Sequence, residues 1–225
     1  MASDRLDRIM EIISMSLQPL LKGTVLYTIP ISLLSFALGL VFALVIALAG
    51  LSANPYARVP ARVYVWIIRC TPILVQLFLI FYGLPSLGML LSPFASIVIS
   101  LTISEAAYSS EIMRAAILSI PRGQWRAGYA LGMSRSQNLF RVILPQAFRI
   151  CVPSFGNQFI TLFKTSSLAA LVTIPDLFGA AKLIAASTFE PMLLYLIAGT
   201  YYLVLCSALT IWQSRLERRL GAYQT

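Results

Sequence analysis

The sequence predicts an all-α protein: an integral membrane helical bundle of about five transmembrane helices, with one long structured loop between the third and the fourth. Three observations carry this. Apolar residues make up 59% of the 225 and charged residues only 11%, giving a mean hydropathy of +0.83. A spanning helix needs about 20 apolar residues, and several stretches of that length carry no charge. The long polar stretch, residues 119–149, holds its own helix-start and helix-stop signals.

Residues 1–225 read as a single transmembrane domain. No charge occurs between Lys22 and Arg58, so 25–49 is the first span. It is too long for a signal-peptide core and has no convincing cleavage site, which predicts a retained helix. Ser35, Gly39, Ala43 and Ala47 recur on it at four-residue steps, a small-residue face for close helix packing. A second uncharged region lies between Arg69 and Glu105, interrupted by Gly83, Pro85, Ser92 and Pro93. It predicts two spans, 63–84 and 94–118, joined by a short loop. Further apolar stretches at 151–175 and 191–213 complete the five.

Six arginines occupy or flank the 119–149 loop (Arg114, Arg122, Arg126, Arg135, Arg141, Arg149), and no acid occurs between Glu111 and Asp176. Pro121 suits the first turn of a helix and Gly132 the left-handed residue that ends one, with Met133 as the apolar residue beyond. Ser134 and Gln137 form a capping box that restarts the chain as a second helix to about Leu144. A basic helix-turn-helix loop in so apolar a chain is a docking surface for something soluble. The alternative is a basic amphipathic helix resting on anionic lipid.

Arginine distribution sets the orientation. A cytoplasmic 119–149 loop places Arg58, Arg62, Arg69, Arg215, Arg218 and Arg219 on the same side and leaves Arg5, Arg8, Lys22 and Lys182 outside, as the positive-inside rule requires. The N-terminus then faces out and the C-terminus faces the cytoplasm. This accounts for the net charge of +9, so no nucleic-acid partner is needed to explain it. Cys70, Cys151 and Cys206 are far apart, lack metal-ligand spacing and read as small hydrophobes. With no histidine the chain lacks the commonest general base and metal ligand. With no G-x-x-x-x-G-K-[ST] loop it does not hydrolyse nucleotide by itself.

Four motifs then carry a resemblance. Arg126-Ala127-Gly128, Gly132, Val142 and Leu144-Pro145 match the spacing of the cytoplasmic signature E-A-A, three residues, Gly, nine residues, I-x-L-P. Arg69-Cys70-Thr71-Pro72-Ile73-Leu74-Val75-Gln76 is similar to R-G-T-P-L-L-V-Q. Ala106-Ala107-Tyr108 with Glu111 and Arg114 is similar to A-A-Y-x-x-E-x-x-R. Lys164-Thr165-Ser166-Ser167-Leu168 is similar to K-D-T-S-L. In this order, over nearly the whole chain, they resemble the permease subunits of polar amino-acid ABC importers. The departures are Arg126 for the motif glutamate, Gly128 for its second alanine, Cys70 for glycine and Thr165 for an aspartate.

The resemblance implies a type I ABC importer permease fold with a coupling-helix loop, in the bacterial inner membrane. It implies an ATPase dimer docked on the loop, a second permease subunit (a copy or a relative), an extracytoplasmic solute-binding protein and a polar amino-acid substrate. No cofactor is implied in this chain, ATP and its magnesium belonging to the partner. The docking residues would be Trp125, Arg126, Ala127, Gly128, Tyr129, Gly132, Leu144 and Pro145. Trp125, Gly128, Tyr129 and Gly132 fall along one side at three- and four-residue steps.

Polar residues inside the bilayer are costly and mark a pathway. Glu111 lies ten residues before Pro121, about 15 Å deep, and Lys164 fifteen residues after Arg149, about 22 Å deep, at ~1.5 Å rise. An amino acid needs an acceptor for its ammonium and donors for its carboxylate. Glu111 suits the first, and Lys164 with Ser166 and Ser167 the second. Thr165, Gln76 and Asn157 join the candidate pathway, and Glu105 a vestibule near the outer end of its span. Two structural alternatives stay open: Glu111 and Arg114 neutralise each other three residues apart, and Lys164 bridges helices. Two other functions also remain, an ion or proton channel lined by Glu111 and Lys164 and a membrane enzyme. The missing histidine and the lack of clustered acids oppose the enzyme.

Overall fold

In the computed structural model residues 2–221 are described, with side chains from Arg5 to Arg218. Arg219, counted above among the tail cations, has its side chain outside the described residues. The order is α1 (Ala2–Gly23), α2 (Ile29–Gly50), α3 (Pro55–Cys70), α4 (Ile73–Phe78), α5 (Pro93–Ser119), α6 (Arg122–Ala130), α7 (Arg135–Asn138), α8 (Leu144–Thr165), α9 (Leu177–Thr188) and α10 (Pro191–Gly221), with no strand among the described residues.

Wide helical turns at Thr24–Thr28 and Leu139–Ile143 join consecutive helices without a break, and a third, Leu79–Gly83, carries α4 on into a short narrow turn at Leu84–Leu87. Each ends two residues before a proline (Pro30, Pro85, Pro145). Proline lacks the N–H of a helix interior, and its ring crowds the carbonyl four residues back. Widening the preceding turn relieves both problems. The helix expected to end near Leu144 therefore continues, through the turn at Leu139–Ile143, to Thr165. The expected first span likewise lies inside a longer helix, Arg5–Gly50. The expected span 63–84 is instead two helices, because Pro72 forces Thr71 into extended backbone (φ −110°, ψ 139°) and ends α3 at Cys70. Among the described residues Arg5–Gly50 and Pro191–Arg218 are each long and apolar enough to cross a membrane, and counting each broken pair as one span gives up to four.

The chain divides into two compact units. The first holds the chain to Phe36, Ile73–Leu101 and Ile160–Leu209. Its core is Ile31, Leu77, Ile97, Val98, Leu101, Leu162, Val172 and Ile174. A second apolar cluster joins α1 to α9 and α10 through Leu20, Leu177, Ala180, Ala181 and Ala198. α9 begins at Asp176, whose carboxylate accepts from the Gly179 amide at 2.8 Å, a standard N-cap. The Thr28 hydroxyl accepts from the Leu177 amide at 3.1 Å, fastening the wide turn to α9.

Gly23 makes this approach possible: a Cβ there would lie 2.7 Å from the Asp176 carbonyl oxygen and 2.8 Å from that of Pro175. Gly23→Val is expected to destabilise the solubilised protein by about 1–3 kcal/mol. The thermal midpoint measures it against Gly50→Val, whose added atoms meet open space. Equal midpoints would remove the packing account.

The second unit holds Ala37–Pro72, Thr102–Phe159 and the chain from Thr210 on. The predicted small-residue face packs as expected, with Ala43 and Ala47 buried and Gly39 directly against the Glu105 side chain. The opposite side of α2 exposes Val41, Phe42 and Val45, the surface a lipid-facing helix presents. Tyr64 on α3 donates to the Ile103 carbonyl of α5 at 2.7 Å. Glu105 corrects the expectation of a vestibule. It is 1% exposed and takes hydrogen bonds from Ser109 and from Gln158 of α8 at 3.2 Å. Buried carboxylates persist where donors satisfy them, so Glu105 ties α5 to α8.

Candidate functional site

Two sites emerge, both built within the second unit. The first is the 119–149 loop. Pro121 stands at the N-cap with extended ψ 139°, one residue earlier than expected, and α6 starts at Arg122. Gly132 has φ 75°. The Met133 amide reaches the Gly128 carbonyl at 3.1 Å and the Gly132 amide reaches that of Tyr129 at 3.0 Å, the paired bonds of a Schellman stop. Ser134 and Gln137 form the full reciprocal capping box. The helix-turn-helix is thus written locally in the sequence.

Its packing is not. Asn138 is fully buried and donates to the Trp125 carbonyl at 2.8 Å, binding α7 back onto α6. Gly128 lies directly under that amide, where any Cβ would collide with the Asn138 side chain. This corrects the expected docking face: Gly128 is turned inward, and its missing side chain lets the loop close on itself. Trp125 is half-buried and lines a cavity of about 860 Å³ with Leu48, Ile117, Arg122, Arg135 and Leu139. The outward surface of α6 is Arg126, Ala127 and Tyr129, continued by Leu131, which is 77% exposed, and Gly132. Pro145 is exposed and Leu144 half-buried. Sequence reasoning missed Leu131 and Asn138. An apolar residue just before the stop glycine was the available signal for Leu131, and nothing local marked Asn138.

The second site is a cavity of about 540 Å³ between α3 and α5, lined by Arg62, Val65, Trp66, Arg69 and Cys70 on one side and Tyr108, Glu111 and Arg114 on the other. The spacings explain it: 62, 65, 66 and 69 share one helix face, as do 108, 111 and 114. Arg114 grips both oxygens of Glu111, Nε at 2.9 Å and Nη2 at 2.8 Å, the bidentate pairing that guanidinium geometry favours. The intrahelical pair with Arg114, one of the two readings of Glu111, is present in the structure. The Arg69 guanidinium lies 5.3 Å from the Tyr108 ring centroid.

The remaining pathway candidates are distributed. Asn157 belongs to the second unit, where its carbonyl accepts from Gln213 at 3.2 Å. Gln76, Lys164, Thr165, Ser166 and Ser167 belong to the first unit, so neither unit by itself assembles the full set. Lys164 is exposed and Gln76 buried. Ser166 is corrected as a free donor: it is buried, and its hydroxyl donates to the Phe163 carbonyl at 2.8 Å. Thr165 donates in the same way to Thr161. These hydroxyls serve the helix end, where α8 tightens into the narrow turn Ser166–Val172. Among the described residues no group of three or more His, Cys, Asp or Glu is placed to hold a metal.

Residues 39–222 match the model of the binding-protein-dependent transport system inner membrane component family. The chain belongs to this family. The permease is 45% identical, over 95% of its length and 92% of the relative's, to the L-cystine transport system permease protein TcyB of Bacillus subtilis (strain 168). It is 42% identical, over 86% of its length and 66% of the relative's, to the arginine transport system permease protein ArgU of Corynebacterium glutamicum. Among solved structures it matches the crystal structure of an amino acid ABC transporter with histidines, with TM-score 0.84 and 33% identity, covering 90% of this chain and 94% of that one. The permease therefore has the all-α architecture of ABC importer membrane subunits. It is a non-catalytic transport component of the inner membrane.

Proposed function

We propose that this permease moves a polar amino acid, or an amino-acid derivative, into the cytoplasm as one membrane subunit of an ATP-binding-cassette importer. The observation that carries this is the loop. It is a helix-turn-helix, closed on itself by Gly128 and Asn138, that offers Arg126, Ala127, Tyr129 and Leu131 to a partner. A helix presented to a groove is a common recognition mode, and the family makes that groove an ATPase surface. Relatives named for L-cystine and for arginine differ in substrate charge but share the α-amino acid, which supports that substrate class.

Two permease subunits, identical or related, line the path. An ATPase dimer docks on their loops and binds ATP with magnesium, and a solute-binding protein delivers substrate from outside. Five spans place the N-terminus outside and the C-terminus in the cytoplasm of a bacterial cell. Glu111 and Asn157 in the second unit and Lys164 and Gln76 in the first are the candidate substrate contacts, with Thr165, Ser166 and Ser167 ending the helix beside Lys164.

Vesicles carrying the complete complex test the reading. Uptake of radiolabelled amino acid is expected only with both ATP and binding protein. Flux through the permease alone would favour a channel. For the topology, single cysteines replace Asp7 and Gln137 in a protein lacking Cys70, Cys151 and Cys206. Position 7 is expected to react with an impermeant maleimide only from outside, and position 137 only from the cytoplasm. Labelling of both from one side would refute the five-span arrangement.

A further inference from the structure

We infer that the α3–α5 cavity is a carboxylate-binding station on the substrate path, with Arg62 and Arg69 as the groups that hold the α-carboxylate of a free amino acid. The inference rests on the importer reading above and deepens it.

Charge is the first argument. The cavity is lined by three guanidiniums and one carboxylate, and both oxygens of that carboxylate already face Arg114. Among the described residues no carboxylate lies within ion-pair distance of Arg62 or Arg69. The cavity is therefore short of an anion.

Geometry supplies the second argument. The Arg69 guanidinium carbon lies 5.3 Å from the centroid of the Tyr108 ring, within cation–π range, so α5 helps to hold on the cavity wall a group whose fork of N–H donors suits a carboxylate. Arg62 stands seven residues away on the same face of α3, two turns along. Tyr64, held to Ile103 of α5, fixes that part of the helix against its neighbour. A cavity of 540 Å³ falls within the range of about 300–1,000 Å³ typical of small-molecule sites.

The ammonium end is accommodated as well. Ionised carboxylate oxygens accept about four hydrogen bonds in total, so Glu111 retains capacity beside its two bonds from Arg114. Trp66 also lines the cavity wall, an aromatic side chain of the kind that attracts cations. A zwitterion thus meets acceptors and donors in one place. The hydroxyls of Ser166 and Thr165, by contrast, donate to carbonyls of their own helix.

The test uses the assembled complex in nanodiscs and vesicles, with L-cystine, L-arginine and L-glutamine as probes and their methyl esters as matched compounds lacking the carboxylate. Arg62→Gln and Arg69→Gln are each expected to lower uptake efficiency for the transported acid about ten- to hundred-fold, with ATPase recovery unchanged. Should either variant fail to assemble, phenylglyoxal modification of the wild-type complex decides. The transported acid, but not its ester, is expected to slow modification of Arg62 and Arg69 at least threefold, read by peptide mass spectrometry. If wild type takes up none of the acids, the importer reading and this inference fall together. If wild type transports while both variants transport equally well, or the ester protects as well as the acid, only this inference falls. Protection that depends instead on adding phosphatidylglycerol to phosphatidylcholine nanodiscs would make the site one for lipid headgroups and overturn it.

Discussion

Gly128→Val is expected to strip the ATPase from the solubilised complex while leaving the permease inserted in the membrane. Valine atoms at this position would occupy the space of the Asn138 amide, so that fully buried side chain must shift. Overpacking of this kind costs about 1–3 kcal/mol, and displacing Asn138 also breaks its bond to the Trp125 carbonyl, worth about 1 kcal/mol more. The substitution touches only the loop, so insertion is spared, but the loop loses the arrangement it presents. Retention of the ATPase on pull-down should fall at least roughly tenfold, taking ~1.4 kcal/mol per decade. Gly199→Val, in open space, is the control. Collision and surface blockage are distinguished by the pair Gly128→Ala with Asn138→Ala. The second change removes the obstacle and should restore part of what Gly128→Ala loses. No restoration would mean that Gly128 faces the ATPase after all.

Glu111→Gln is expected to lower uptake efficiency of a zwitterionic amino acid about ten- to hundred-fold, the size of a lost charged hydrogen bond of about 1.5–3 kcal/mol. The amide keeps the shape of the side chain but has one acceptor oxygen where Arg114 now finds two. Arg114 is thereby left partly unpaired, and the ammonium of the substrate loses its counter-charge. Lys164→Ala, in the first unit, is expected to reduce uptake at least as much if Lys164 also meets the substrate on its way. Uptake must be paired with recovery of the whole complex. Loss of recovery would identify either residue as a strut between helices, and full recovery with unchanged uptake would take it off the path.

Local signals in the sequence determined a good deal. Apolar runs without charge determined that the chain is helical and membrane-embedded, because backbone polar groups in lipid must be satisfied within a helix or a closed barrel. The loop was equally legible: the capping box at Ser134 and the left-handed Gly132 are rules about neighbours within six residues, and both hold. So was the small-residue face on α2, since a four-residue repeat maps directly onto one side of a helix.

Tertiary structure alone decided the rest. Pro30, Pro85 and Pro145 are absorbed by a wide turn instead of ending a helix, whereas Pro19, Pro60 and Pro153 sit inside helices without one. Gly128 looked like an outward contact because helical spacing tells which residues share a side and not which way the side faces. Its inward aim was set by Asn138, ten residues on, through a contact that no periodicity encodes. The charged cavity has the same origin. Arg62 and Arg69 counted in the sequence only as cytoplasmic charge, and came to share a cavity wall with Glu111 because α3 and α5 meet in the folded chain. Proximity between distant segments is a property of the packed chain, and it is there that the candidate binding chemistry resides.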